Sequence, residues 1–144
     1  MEQIPTFPPI GMSPTIWGPY FWNAMHIATL GYPDIPNEAD KAAAASFFES
    51  LTRLIPCPIC RNHYSEFLKS NPPQVESRTT LVYWLFTIHN KVNQRLGKSE
   101  ISFSQFITHM RNLNPPVSSG PSLGLFTAGL LIGAGALYAY QKYK

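Results

Sequence analysis

Residues 77–98 read SRTTLVYWLFTIHNKVNQRLGK. Leu81, Leu85, Ile88, Val92 and Leu96 recur every three or four residues, which places them on one face of an α-helix and not on alternate faces of a strand. Gly97 closes the helix, because a glycine reaches the left-handed conformation of a helix end without a Cβ penalty. The same period continues outward in both directions. Ser102 and Gln105 form a capping box for a short helix ending near Arg111. Upstream, Pro58 suits the first turn of a helix reaching about Leu68, closed by Ser-Asn-Pro-Pro. Asn37 with Asp40 starts a helix whose stripe is Ala44, Phe47/Phe48, Leu51 and Leu54/Ile55, ended by Pro56. Ser13-Pro14 starts another through Trp17, Phe21, Met25 and Ala28, stopped by Gly31 and Pro33. Strand signals are almost absent. The expected fold is all-α: a four-helix bundle of antiparallel neighbours with a short fifth helix.

A chain of 144 residues suits one domain. Only 13% of residues are charged while 44% are hydrophobic, against about 25% charged in a typical soluble domain. The net charge of +3 is spread without a run of Lys or Arg, which argues against nucleic acid as a partner. Residues 1–12, with an early acid and no basic or apolar stretch, read as a flexible N-terminus and not as a signal peptide. The domain is expected over 13–111 and a Pro/Ser/Gly linker over 112–122. Residues 123–140 (LGLFTAGLLIGAGALYAY) are apolar or small, and a basic tail, 141–144, follows. Such a run with terminal Tyr and Lys is expected to be a transmembrane helix. The expected arrangement is a single-pass tail anchor with the domain facing the cytosol.

Cys57 and Cys60 are the only cysteines. Two cysteines cannot staple a secreted scaffold. With Pro58 starting a helix, Cys57 falls near the N-cap and Cys60 in the first turn, where free N–H groups and the helix dipole favour a thiolate. A thioredoxin-like site would need a βαβ context, and haem attachment would need His where Arg61 stands. Zinc on Cys57, Cys60 and His63 lacks a second paired half-site, so no metal is expected. A redox dithiol, half a metal site and inert packing remain as readings of the pair alone.

Two other stretches narrow the choice. Trp22 and His26 are four apart on the first helix, and His89 and Asn93 four apart on the fourth. Flat aromatics and ring donors inside a helical bundle suit a large planar heterocycle. In order, the chain carries W-G-x-x-x-W-x-x-x-H from Trp17, Y-P at Tyr32, P-C-x-x-C at Pro56 and H-N-x-V-N-x-x-L-G-K from His89. This series closely resembles the Erv/ALR family of FAD-linked sulfhydryl oxidases, most of all the compact members from large DNA viruses, over about residues 14–106.

The resemblance implies a helical bundle, usually a homodimer, with non-covalent FAD beside a Cys-x-x-Cys disulfide. Carried over, Trp17, Gly18, Trp22 and His26 fall where the family's first helix contacts the flavin nucleotide. His89, Asn90, Asn93 and Lys98 fall where the fourth helix and its end hold the adenine and phosphates, and Phe86 joins the cofactor-binding set. Cys60 matches the flavin-proximal cysteine and Cys57 the one that exchanges with substrate. The implied reaction introduces a disulfide into a partner protein, a thioredoxin-like or Cys-x-x-Cys carrier, and passes its electrons through FAD to oxygen with release of hydrogen peroxide. The family's C-terminal cysteine pair and its shuttle pair are absent, as are the Arg before the first motif and the Trp after the fifth helix. The competing reading is a membrane-anchored helical adaptor with a structural or zinc-binding cysteine pair; a weaker one is a flavin-free disulfide carrier.

Overall fold

The computed structural model describes residues 11–113, which form five α-helices and, among the described residues, no strand. They are α1 (Pro14–Leu30), α2 (Glu38–Leu54), α3 (Pro58–Ser70), α4 (Arg78–Arg95) and α5 (Phe103–Leu113). Local chemistry sets the starts. Ser13 caps α1 by accepting from the Thr15 N–H. Asn37 and Asp40 close a reciprocal capping box on α2, with both bonds at 2.9 Å. Ser77 and Thr80 do the same for α4, and Ser102 with Gln105 for α5. Each box satisfies two of the donors a helix start leaves open. Gly97, at φ +66°, follows the α4 C-cap Leu96. α3 and α5 each run two residues past their expected ends.

Hydrogen bonds between helices give the pairing. The Arg78 N–H donates to the Pro33 carbonyl at 3.1 Å, while His26 meets His89 two to three turns along, so α1 and α4 run antiparallel. The Tyr64 hydroxyl donates to the Phe48 carbonyl at 2.9 Å, and Arg61 reaches the end of α2, so α2 and α3 are antiparallel too. The Trp84 indole donates to the Asn71 carbonyl at 3.0 Å, and Arg95 contacts His63, which sets α3 against α4 in the same sense. The start of α1, the start of α3 and the end of α4 therefore share one end of the bundle.

The core is built from Met25, Tyr32, Phe48, Leu51, Ile55, Tyr64, Leu81, Trp84, Leu85 and Ile88. Two stripe predictions need correcting: Phe47 and Leu54 of α2 are exposed, as is Leu96 at the end of α4. On α2 the adjacent residues Phe48 and Ile55 are buried in place of Phe47 and Leu54, which turn about 100° away from them around the helix. Conversely, Val82, Trp84 and Phe86 are buried although the α4 stripe omits them, because helices flank α4 on more than one side.

Contacts divide the chain after Thr108. The first unit, described from residue 11, holds the bundle and the beginning of α5. The second is described only through the last turn of that helix. No helix among the described residues is long and apolar enough to cross a membrane; the linker and the apolar run expected at 112–122 and 123–140 lie outside them, apart from residues 112 and 113.

Candidate active site

Cys57 is the N-cap of α3, in extended conformation at φ −93° and ψ 117°. Pro58 follows in the first turn, where its missing N–H costs nothing. The Cys60 N–H points at Cys57 Sγ at 3.2 Å. The two sulfurs form a disulfide, with Cα atoms 5.1 Å apart. Both cysteines are half-buried and pack against the core that Trp17, Phe21 and Trp22 also flank. No acidic residue stands in the first turn of α3. When the bridge opens, the positive end of the helix dipole favours a thiolate at this turn, and the Cys60 N–H already points at Cys57 Sγ.

Deeper along the α1–α4 seam, Trp22 stacks on His89 with ring centroids 4.0 Å apart and planes 4° from parallel. His26 Nε2 and His89 Nδ1 are 3.0 Å apart and share a hydrogen bond whose direction the tautomers set. Phe106 of α5 packs on the His26 ring at 4.7 Å. That support was invisible to the motif reading, which stopped at α4; the only sequence signal is the apolar face of the fifth helix. The predicted α1 pair, Trp22 and His26, thus meets His89 of the α4 pair in one stack of flat rings.

The remaining predicted residues divide. Trp17 is half-buried, and its indole N–H is enclosed without a hydrogen-bond partner among the described residues. A Cβ placed on Gly18 would meet nothing within 4 Å, so a flat group can approach the backbone there. The Asn93 carbonyl accepts from the Lys98 N–H at 2.9 Å, folding the end of α4 back on itself, while Lys98 is exposed. Asn90 pins the α4–α5 connection: its amide donates to the Ile101 carbonyl at 2.9 Å and accepts from the Ile101 N–H at 3.0 Å. Phe86 is buried among Tyr83, Phe103 and Phe106, on the α5 side.

Two basic side chains that the motif reading did not single out make contacts at this end of the bundle. Arg61 Nη1 donates to the Ile55 carbonyl at 3.0 Å, with the Arg53 carbonyl at 3.4 Å. It satisfies orphan carbonyls at the end of α2 and ties the Pro56–Cys57 turn to that helix. Arg95, from the last turn of α4, contacts His63. Among the described residues no group of three or more His, Cys, Asp or Glu is placed to hold a metal ion.

An all-α bundle with a Cys-x-x-Cys disulfide at a helix start and a ring stack along the adjoining seam defines a class of redox protein. Its family is shown by comparison. The model of the Erv1 / Alr family matches residues 19–112, and the chain belongs to that family. An African swine fever virus protein named "FAD-linked sulfhydryl oxidase" is 37% identical over 90 residues, covering 62% of this chain and 76% of its own length. A protein of Acanthamoeba polyphaga mimivirus, "Probable FAD-linked sulfhydryl oxidase R368", is 40% identical over 99 residues, 67% of this chain and 69% of its own length. Among solved structures, the FAD-binding domain of Erv1 from Saccharomyces cerevisiae superposes with a TM-score of 0.67 at 27% identity, over 71% of this chain and 97% of that domain.

Proposed function

We propose that this chain makes disulfide bonds in a partner protein, using the Cys57–Cys60 bridge as the oxidant that meets substrate. As a member of its family it is an FAD-linked sulfhydryl oxidase. The observation that carries the proposal is the position of the bridge, half-exposed at the start of α3 and at the bundle end where Trp17 and the end of α4 also lie. The residues present fit FAD: parallel flat rings at Trp22 and His89, an enclosed indole donor at Trp17 and open backbone at Gly18. Trp17, Gly18, Trp22, His26 and His89 would hold the flavin nucleotide, with Asn93 and Lys98 toward the phosphates. Bound FAD supplies the two-electron acceptor for the Cys57–Cys60 dithiol, with oxygen as final oxidant and hydrogen peroxide as product.

The protein's own part is thiol–disulfide exchange. A substrate thiolate attacks Cys57 Sγ, the Cys57–Cys60 bond breaks, and Cys60 leaves as a thiolate held by the helix start. A second substrate thiol then attacks the mixed disulfide, releasing Cys57 and the oxidised substrate. The purified chain should consume oxygen and release peroxide in equal amounts when given dithiothreitol. Turnover without oxygen uptake would assign the electrons to another acceptor.

Assembly and location extend the same proposal. Ile16, Tyr20 and Ile27 of α1 are 58%, 74% and 57% exposed and lie within about 40° of one another around the helix. This stripe supports a homodimer; Tyr20→Asp should sediment as a monomer, and an unchanged mass would remove the stripe from the interface. The apolar run at 123–140 supports a membrane anchor with the catalytic domain on the cytosolic side. Full-length protein should stay with membranes through alkaline carbonate washing, and its release into the supernatant would contradict the anchor.

A further inference from the structure

Exposed apolar side chains flank the disulfide in sequence on both sides. Leu54 and Ile59, three residues before and two after Cys57, are 64% and 68% exposed and contribute nothing to the core. Pro56 and Pro58, the neighbours of Cys57, are exposed as well. Four exposed apolar residues thus lie within three positions of one reactive cysteine, at the junction of α2 and α3, and none belongs to the core. Charge at the junction has one sign. Between Glu49 and Glu66 there is no acidic residue, whereas Arg53, Arg61 and His63 fall in that interval. The ion pairs of the described residues all lie elsewhere, on Lys41 and Arg78. Arg53 is exposed, and Arg61 is fixed with its guanidinium on the last carbonyls of α2.

We propose that this rim selects the protein dithiol: a segment carrying an apolar side chain beside its attacking cysteine and acidic residues further out. The inference rests on the oxidase reading and deepens it. Apolar contact with Leu54 and Ile59 holds the incoming thiolate over Cys57 Sγ, raising the effective concentration of the nucleophile. Positive charge from Arg53 and Arg61 steers an acidic segment and stabilises the thiolate it brings. The step balances as a plain exchange. Two substrate thiols become one disulfide, the Cys57–Cys60 bond is reduced to two thiols, and the two protons stay on them.

The test uses the full-length, FAD-loaded protein and three reduced probes. One peptide has Phe beside the first cysteine of a Cys-x-x-Cys and Asp/Glu flanks. A second has Ser and Lys at those places, and dithiothreitol is the small dithiol. The acidic apolar peptide should show kcat/KM about tenfold above the basic one, with the advantage shrinking as salt rises. Leu54→Gln with Ile59→Gln should lower kcat/KM for that peptide at least about fivefold. Both side chains are exposed, so the melting temperature and dithiothreitol turnover should stay as they are. Arg53→Glu should erode the preference for acid without touching dithiothreitol. Equal rates on the two peptides, or variants that treat the acidic peptide as the parent does, overturn the rim while leaving the oxidase intact. No dithiothreitol oxidation by the parent protein would overturn the oxidase reading, and the rim with it.

Discussion

The two sulfurs of the bridge are chemically alike but stand in different places, and that difference is the substance of the site. Cys57 is the cap, outside the helix, between two prolines; Cys60 is one turn in, its N–H aimed at its partner's sulfur. Exchange should therefore begin at Cys57, and only Cys60 should communicate with the cofactor. Cys57→Ser is expected to leave a Cys60 thiolate against oxidised flavin, seen as a long-wavelength charge-transfer band, whereas Cys60→Ser should lack it. Both should lose turnover, and matching spectra would cancel the assignment. The two positions were legible in the sequence, because Pro58 says where the helix begins; the two roles come from the family resemblance. The ring stack was legible only as two i, i+4 pairs; that His26 and His89 meet depends on the antiparallel register of α1 and α4, which no local pattern encodes. Asn90 shows a role that no local pattern carries: its amide holds the Ile101 backbone, a contact set by the loop after Gly97.

Among the elements, helix starts could be read residue by residue because caps are local chemistry: Ser13, Asn37, Ser77 and Ser102 all act within three residues. Which face is buried was less legible. The α2 stripe counted Phe47 with Phe48 and Leu54 with Ile55, but only the second of each adjacent pair faces the core, and Phe47 and Leu54 stay outside. The α2–α3 pair also has a pH signature. Burial pushes the Tyr64 phenol far above its ordinary range, and its hydroxyl donates to the Phe48 carbonyl. The unfolded chain releases this proton near pH 10, whereas the folded chain keeps it. Stability from Tyr64 is thus complete below about pH 10 and drains away as pH rises beyond it. Tyr64→Phe should cost about 1 kcal/mol at neutral pH, the net worth of a hydrogen bond, and should flatten the alkaline loss. Urea melts at pH 7 and pH 11 check both, and an equally steep alkaline loss in the variant would remove Tyr64 as its source.

Across the molecule, topology makes the site. Antiparallel pairing gathers the starts of α1 and α3 and the end of α4, so residues near positions 17, 57 and 95 share one end of the bundle although some 80 residues separate the first from the last. The resemblance carried in the ordered motifs named that assembly before its geometry was known; composition and periodicity alone stopped at a helical bundle with an unassigned cysteine pair. Electrons entering at Cys57–Cys60 are expected to pass to FAD held in the same bundle. The most direct measurement is the visible spectrum of purified full-length protein during anaerobic titration with dithiothreitol. A bound flavin band that bleaches in the parent protein, and persists through the same additions in Cys60→Ser, is the predicted result. Protein that carries no flavin, or flavin that bleaches as readily in Cys60→Ser, would contradict the account.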